Sequence, residues 1–201
     1  MSKRHLLSLV TRVKYVLILF CRFGAVTRGV YRGQDVAVKK LLLQHMLDDV
    51  LHEFEHEITL MKSLHHPNIV QFVGASNVHE NLAIIIEFAP LGSLASVMKK
   101  QKLSLSMKTT ALFETAKALQ FLHANAIIHR DIKPQNILVF SLEQRTPVHV
   151  KLTDFGTARF ITETATNVTK NVGTFAYMAP EALGKNPRID KSADVYSFAI
   201  L

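Results

Sequence analysis

The sequence predicts an α+β chain in two parts, a β-rich part reaching about Phe88 and a largely helical part beyond it. Before that point short β-type runs surround a single helical stretch; after it the apolar residues recur with helical period. No internal repeat, low-complexity tract or Pro/Gly-rich linker divides the chain, so the boundary is read from this change of period. The composition, 201 residues of which 48% are hydrophobic, is that of a folding chain. A chain of this length buries roughly 70% of its unfolded surface without a disulfide or metal staple.

At the N-terminus Lys3 and Arg4 precede an apolar stretch from Tyr15 to Cys21. Arg12 and Lys14 break the run, Arg22 ends it, and it falls far short of the ~18 residues of a membrane span, so neither a signal peptide nor a span is expected. An edge strand or an extension is the expectation, and residues 1–22 stay unassigned. In Val36-Ala37-Val38-Lys39 the alternation of a strand puts Ala37 and Lys39 on one face and the two valines on the other. From Val50 to Leu64, residues Leu51, Phe54, Ile58, Met61 and Leu64 recur at helical spacing and the pattern stops before His66-Pro67-Asn68. Glu57 falls inside this stripe, where a carboxylate is costly unless it meets a cation; Lys39 is the natural candidate. Ile84 to Ile86 reads as a buried central strand running into Glu87-Phe88. Leu91-Gly92-Ser93 supplies a turn and a cap, and Ala111 to His123 a second strong helix with Leu112, Ala116, Leu119 and Leu122 on one side. Ile137 to Phe140 and Val148 to Leu152 form a strand pair.

Twenty-four basic against 16 acidic residues leave a net charge of +8. The basic residues are scattered, without blocks or interleaved aromatics, so a solvated basic surface is expected and no nucleic-acid partner. The one cysteine, Cys21, excludes an intramolecular disulfide and a multi-cysteine zinc site and suits a reducing, cytoplasmic setting. His52-Glu53-Phe54-Glu55-His56 satisfies the H-E-x-x-H zinc pattern on a helix, but Glu57 and the apolar stripe already account for that helix, so solvated histidines are expected.

His129-Arg130-Asp131-Ile132-Lys133-Pro134-Gln135-Asn136 is followed by Asp154-Phe155-Gly156 and Ala179-Pro180-Glu181, with Lys39 and Glu57 ahead of them in order. This series resembles the eukaryotic protein kinases. The resemblance implies a bilobal protein-kinase-like fold, with a small lobe over residues 23–88 and a partial large lobe over 89–201, and an ATP-dependent transfer of phosphate to protein hydroxyls. Phosphoryl transfer asks mainly for positioned charge. Lys39 is then expected to hold the α/β-phosphates, aimed by Glu57. Asn136 and Asp154 would supply magnesium with oxygen ligands. Asp131 would orient the substrate hydroxyl and take its proton.

By the same resemblance Gly24 closes the glycine-rich loop, Val26, Ala37 and Leu138 sandwich the adenine, and Ile86 is the gatekeeper. The backbone of Glu87 and Ala89 would bond the adenine edge, and Met61, Phe72, His129 and Phe155 would stack as a spine. Lys133 and Thr174 resemble the serine/threonine-specific form, and Tyr177-Met178-Ala179-Pro180-Glu181 and Asp194-Val195-Tyr196-Ser197-Phe198-Ala199 the tyrosine-kinase-like group within it. Thr162, Thr164, Thr166 and Thr169 are candidates for modification by an upstream activating kinase, pairing with Arg130. The chain departs from the family pattern where Leu19 and Cys21 replace the first two loop glycines. The likeness stops at Leu201, inside the helix that begins near Asp194 and normally anchors the catalytic loop, so the large lobe is expected to be incomplete and Glu181 to lack its usual partner. The alternative function is a truncated pseudokinase or kinase-like interaction module.

Overall fold

Valine and isoleucine alternation builds the first half of the molecule. The computed structural model describes residues 16–21, 24–41, 47–78, 81–143, 145–161, 174–183 and 189–201. These divide into two compact units: the residues up to His65 with Gln71–Phe88, and His66–Val70 with Ala89–Leu201.

The first unit is an antiparallel sheet of β1 (Val16–Cys21), β2 (Gly24–Tyr31), β3 (Gln34–Leu41), β4 (Phe72–Val78) and β5 (Asn81–Glu87), in the order β1-β2-β3-β5-β4, with helix α1 (Leu47–Ser63) between β3 and β4. The apolar stretch before Arg22 is thus an edge strand that carries the sheet back to Val16. β2 and β3 turn through Arg32 (φ 51°) and Gly33 (φ 81°), the two left-handed residues that a tight hairpin following the sheet twist requires. Val36 and Val38 pack on Ala83 and Ile85, with Tyr31 and Val73 against them. Ala37 and Lys39 take the opposite face, as alternation predicts.

Helix α1 buries Phe54, Glu57, Leu60 and Met61, and Leu64 just past its end is buried with them. Two residues of the expected stripe are displaced: Leu51 is 37% exposed and Ile58 half-buried. At ~100° per residue the buried stripe is centred on Glu57 itself, which turns Leu60 inward and Leu51 out. The apolar spacing alone misses this because a carboxylate scores as a surface residue.

In the second unit α2 (Leu94–Lys100) follows Gly92 (φ 76°) and is capped by Ser93, whose hydroxyl accepts from Ser96 N–H at 3.2 Å. Helix α3 spans Leu105–Ala124 and starts well before Ala111, because Ser104 accepts from Met107 N–H and caps it. Its buried side is Ala111, Glu114, Thr115, Ala118, Leu119 and Leu122; Leu112 is exposed. The cause is again an inward carboxylate. Glu114 Oε2 accepts from the N–H groups of His149 (2.9 Å) and Val150 (2.8 Å) and from Asn68 Nδ2 (3.1 Å).

Two short antiparallel pairs follow, β6 (Ile127–Ile128) with β9 (Arg159–Phe160) and β7 (Ile137–Val139) with β8 (Val150–Leu152). The segment His66–Val70 joins the edge of β8: Leu152 N–H donates to Asn68 O and Val70 N–H to Leu152 O. Helix α4 (Lys191–Ala199) is capped by Asp190. Among the described residues no helix is long and apolar enough to cross a membrane.

His66 gives the second unit an acid-sensitive point. Its ring stacks on Phe121 at 5.1 Å, and Nδ1 accepts from Asn68 N–H at 3.1 Å, a bond that requires Nδ1 to be unprotonated. Burial, and then the Lys117 charge, hold the imidazole below its ordinary pKa of 6.5. The stability linked to neutral His66 is therefore present above that value and lost as the pH falls through the depressed one. In His66→Asn, which keeps an acceptor without a titrating ring, the loss of stability between about pH 7.5 and 5.5 is expected to shrink. Urea midpoints at both pH values check this, and an unchanged loss in the variant contradicts it.

Candidate active site

The first unit gathers its candidate residues on one sheet face. Register places Arg28, Ala37, Ile86 and Phe72 on one rung across β2, β3, β5 and β4, and Val26, Lys39, Ile84 and Ala75 on the next rung of the same face. Lys39 Nζ donates to Glu57 Oε1 at 2.9 Å and to Oε2 at 3.2 Å, and Glu57 is only 6% exposed. A buried carboxylate held this way fixes the ammonium in direction as well as place. Glu87 N–H donates to Gln71 O at 3.1 Å, and its Oε1 accepts from Gln71 N–H at 2.7 Å. Leu19 and Cys21 stand in β1 and Gly24 opens β2, with Cys21 opposite Gly24. Met61 is buried and Phe72 half-buried in this unit.

The second unit brings together the loop between β6 and β7. Asp131 is 8% exposed and accepts at Oδ2 from Lys133 Nζ (2.6 Å) and Asn136 Nδ2 (2.9 Å), and at Oδ1 from Thr174 Oγ1 (3.0 Å). Lys133 Nζ also donates to Thr174 Oγ1 at 2.7 Å. Asn136 Nδ2 donates a second bond to Asp131 O at 2.8 Å. With both donations going to Asp131, the amide turns its carbonyl oxygen away from that residue. Thr153 N–H donates to Asn136 O, so Asp154 follows on the chain segment bonded to Asn136.

The loop is held from beneath by the helix expected to anchor it, through an aspartate in its first turn. Asp194, fully buried, accepts at Oδ2 from His129 N–H (2.9 Å) and His123 Nε2 (2.9 Å), and at Oδ1 from Arg130 N–H (2.8 Å). His129 accepts at Nδ1 from Asp131 N–H, donates from Nε2 to Thr153 O, and meets the Phe155 ring edge-on at 5.2 Å. Arg130 Nε donates to Thr157 O at 2.6 Å, and Thr157 Oγ1 to His129 O at 2.9 Å. Arg130 (φ 68°) and Asp154 (φ 67°) both lie in the left-handed region, a cost of roughly 1 kcal/mol or more each that such networks sustain.

Ala89 is buried with its carbonyl taken by Gly92 N–H, and Leu138 lies half-buried in β7. Glu181 is exposed and accepts from Ser192 Oγ at 3.3 Å. Thr162, Thr164, Thr166 and Thr169, like residues 1–15, lie outside the described residues. His52 is exposed, His56 half-buried, and among the described residues no group of three or more His, Cys, Asp or Glu side chains gathers to hold a metal. Sequence reasoning missed the Asn68–Glu114–His149 cluster. Its signal was a glutamate set among Ala111, Thr115, Ala118 and Leu122.

The sequence profile of the protein kinase domain family matches residues 21–201. Serine/threonine-protein kinase STY17 of Arabidopsis thaliana is 37% identical over 181 residues, covering 89% of this chain and 30% of that protein. Probable serine/threonine-protein kinase gdt4 of Dictyostelium discoideum is 39% identical over 181 residues, 89% of this chain and 11% of its own length. Serine/threonine-protein kinase VIK of Arabidopsis thaliana is 38% identical over 189 residues, 89% of this chain and 42% of its own length. The chain thus spans less than half the length of each of these relatives. The chain, which holds the Lys39–Glu57 pair in its first unit and the Asp131 loop in its second, belongs to the protein kinase domain family.

Proposed function

We propose that this chain transfers the γ-phosphate of ATP to serine or threonine hydroxyls of protein substrates. The observation that carries the reading is the joined set Asp131, Lys133, Asn136 and Thr174. Asp131 Oδ1 accepts one bond from Thr174, and a carboxylate oxygen has a second lone pair to take a substrate O–H. As that hydroxyl oxygen bonds the γ-phosphorus and the bond to the β–γ bridging oxygen breaks, the proton passes to Asp131 and ADP leaves. Lys133, 2.6 Å from Asp131, offsets charge on the incoming phosphoryl group.

Lys39, aimed by Glu57, is assigned to the α/β-phosphates. Val26, Ala37, Ile86 and Leu138 are assigned to the adenine faces, and the Glu87 carbonyl with the Ala89 N–H to its edge; Gly24 lets backbone approach the phosphates. The hard oxygen donors of Asn136 and Asp154 suit magnesium, which when bound supplies charge neutralisation at the phosphates. Protein substrates, an upstream activating kinase and a cytoplasmic location accord with this reading. A second one, a kinase-like binding module without phosphotransfer, draws on Leu19 and Cys21 standing where the family has glycine.

The deciding experiment is thermal unfolding with and without magnesium and ATP, followed by phosphotransfer to serine and tyrosine peptides, with Lys39→Met beside the parent chain. Saturation at ~100 times Kd adds about 2.7 kcal/mol, a readable rise in Tm. The expected result is a magnesium-dependent rise and serine phosphorylation, both lost in Lys39→Met. A rise without any phosphotransfer favours the binding module, and no rise overturns ATP as the ligand.

A further inference from the structure

Arg28 sits on the candidate nucleotide face of the sheet, two residues from Val26 and on the rung of Ala37 and Ile86, yet nothing in the phosphotransfer reading uses it. Its guanidinium makes a two-pronged pair with Asp35, Nε to Oδ1 at 3.1 Å and Nη2 to Oδ2 at 2.6 Å, and lies 4.7 Å from the centre of the Phe88 ring. The hydrogen bonds from Arg28 hold the Asp35 carboxyl below its ordinary range. The pair is half open to solvent, with side-chain exposures of 50% and 42%. Exposed ion pairs add little to stability, so the geometry calls for another explanation. A fork gripped at two points has a fixed plane, and a fixed plane can seat on an aromatic face.

Phe88 is the last residue of the first unit and stands between Glu87 and Ala89. Its predecessor is already fastened from another side, since Glu87 is bonded to Gln71 through both its N–H and its carboxylate. Arg28 supplies a second fastening, one residue further on and from a different strand.

We propose that Arg28, oriented by Asp35, is a positioning residue for the nucleotide. By seating on Phe88 it fixes the peptides on either side, so that the Glu87 carbonyl and the Ala89 N–H keep the spacing that a flat adenine edge requires. This rests on the kinase reading of those two backbone groups. It adds a specificity element for the base, remote from the phosphates and from the group transferred.

The test compares the 201-residue chain with Arg28→Met, Arg28→Lys and Asp35→Asn. Amide hydrogen exchange at Phe88 and Ala89 is expected to quicken in Arg28→Met while Tm stays within about a degree, as an exposed pair predicts. Kd for ATP and for adenosine should rise by the same factor, roughly three- to fivefold, with kcat on a serine peptide unchanged. Arg28→Lys should recover part of the affinity, because an ammonium keeps the ring contact but loses the fork. Asp35→Asn should resemble Arg28→Met in direction. If the parent chain binds ATP and Arg28→Met binds it equally well with unchanged exchange, the clamp is overturned and the kinase reading stands. A loss confined to ATP, with adenosine unaffected, overturns it too, since Arg28 would then act on phosphate. Failure of the parent chain to bind ATP at all overturns the kinase reading and takes the clamp's purpose with it.

Discussion

Asp131→Asn is expected to lower phosphotransfer by about 10²- to 10⁴-fold, the range that a positioned general base contributes, while the second unit keeps its fold. The asparagine oxygen can still accept from Lys133 or Asn136, so most of the local bonding survives. What disappears is the charge and the basic oxygen facing Thr174, the only one of the two with a single described bond. The substrate hydroxyl then loses its proton acceptor, and Lys133 loses the carboxylate that sets its direction. Single-turnover rates measured beside urea unfolding separate the two effects. Turnover within about tenfold of the parent chain removes Asp131 from the proposed role.

Asp194→Ala tests the support beneath that loop, and stability rather than rate is the first readout. Three donors lose their acceptor at once in a position with no exposure: the N–H groups of His129 and Arg130 and the Nε2 of His123. Each buried donor left unsatisfied costs about 1–3 kcal/mol, and the two backbone N–H groups are the buried ones, so a loss of about 2 kcal/mol or more is expected. Asp194→Asn retains an oxygen for one side of the loop only and should fall between the two. Because Arg130 is held left-handed by the same carboxylate, surviving Asp194→Ala protein should also be slow in phosphotransfer. A denaturation midpoint matching the parent chain contradicts this account.

These two aspartates mark what sequence alone reveals. Asp131 stands out because its neighbours His129, Arg130, Lys133 and Asn136 form a recognisable string, whereas Asp194, about sixty residues from the loop it serves, is tied to it only through the family resemblance of its helix. The strand alternation around Val36 and the cap at Ser93 are local effects, fixed by sterics and short-range bonds, and both are legible. Helix faces were less so. Apolarity alone places Leu51 and Leu112 inward, but Glu57 and Glu114 set the buried directions of α1 and α3 through partners far along the chain, Lys39 in one case and Asn68 with His149 in the other. Hydropathy ranks a carboxylate as surface, and only its partner reverses that. The Arg28–Asp35–Phe88 contact escaped for the same reason, as its members lie on two strands and the residue after a third.

The placement of His66–Val70 in the second unit, between stretches that belong to the first, bears on how this chain can be made and divided. During synthesis the five residues emerge long before Val150, whose carbonyl accepts from Asn68 Nδ2 across 82 positions. The first unit can complete its sheet while this segment waits for β8, so contacts of high sequence separation fall late and set the pace. Cutting after Phe88 would strand the segment on the wrong piece. The large fragment would then retain Glu114 without the Asn68 amide that it accepts from. Co-expressed halves should therefore recover less structure than the intact chain, unless a peptide spanning residues 66–70 is supplied to the larger one.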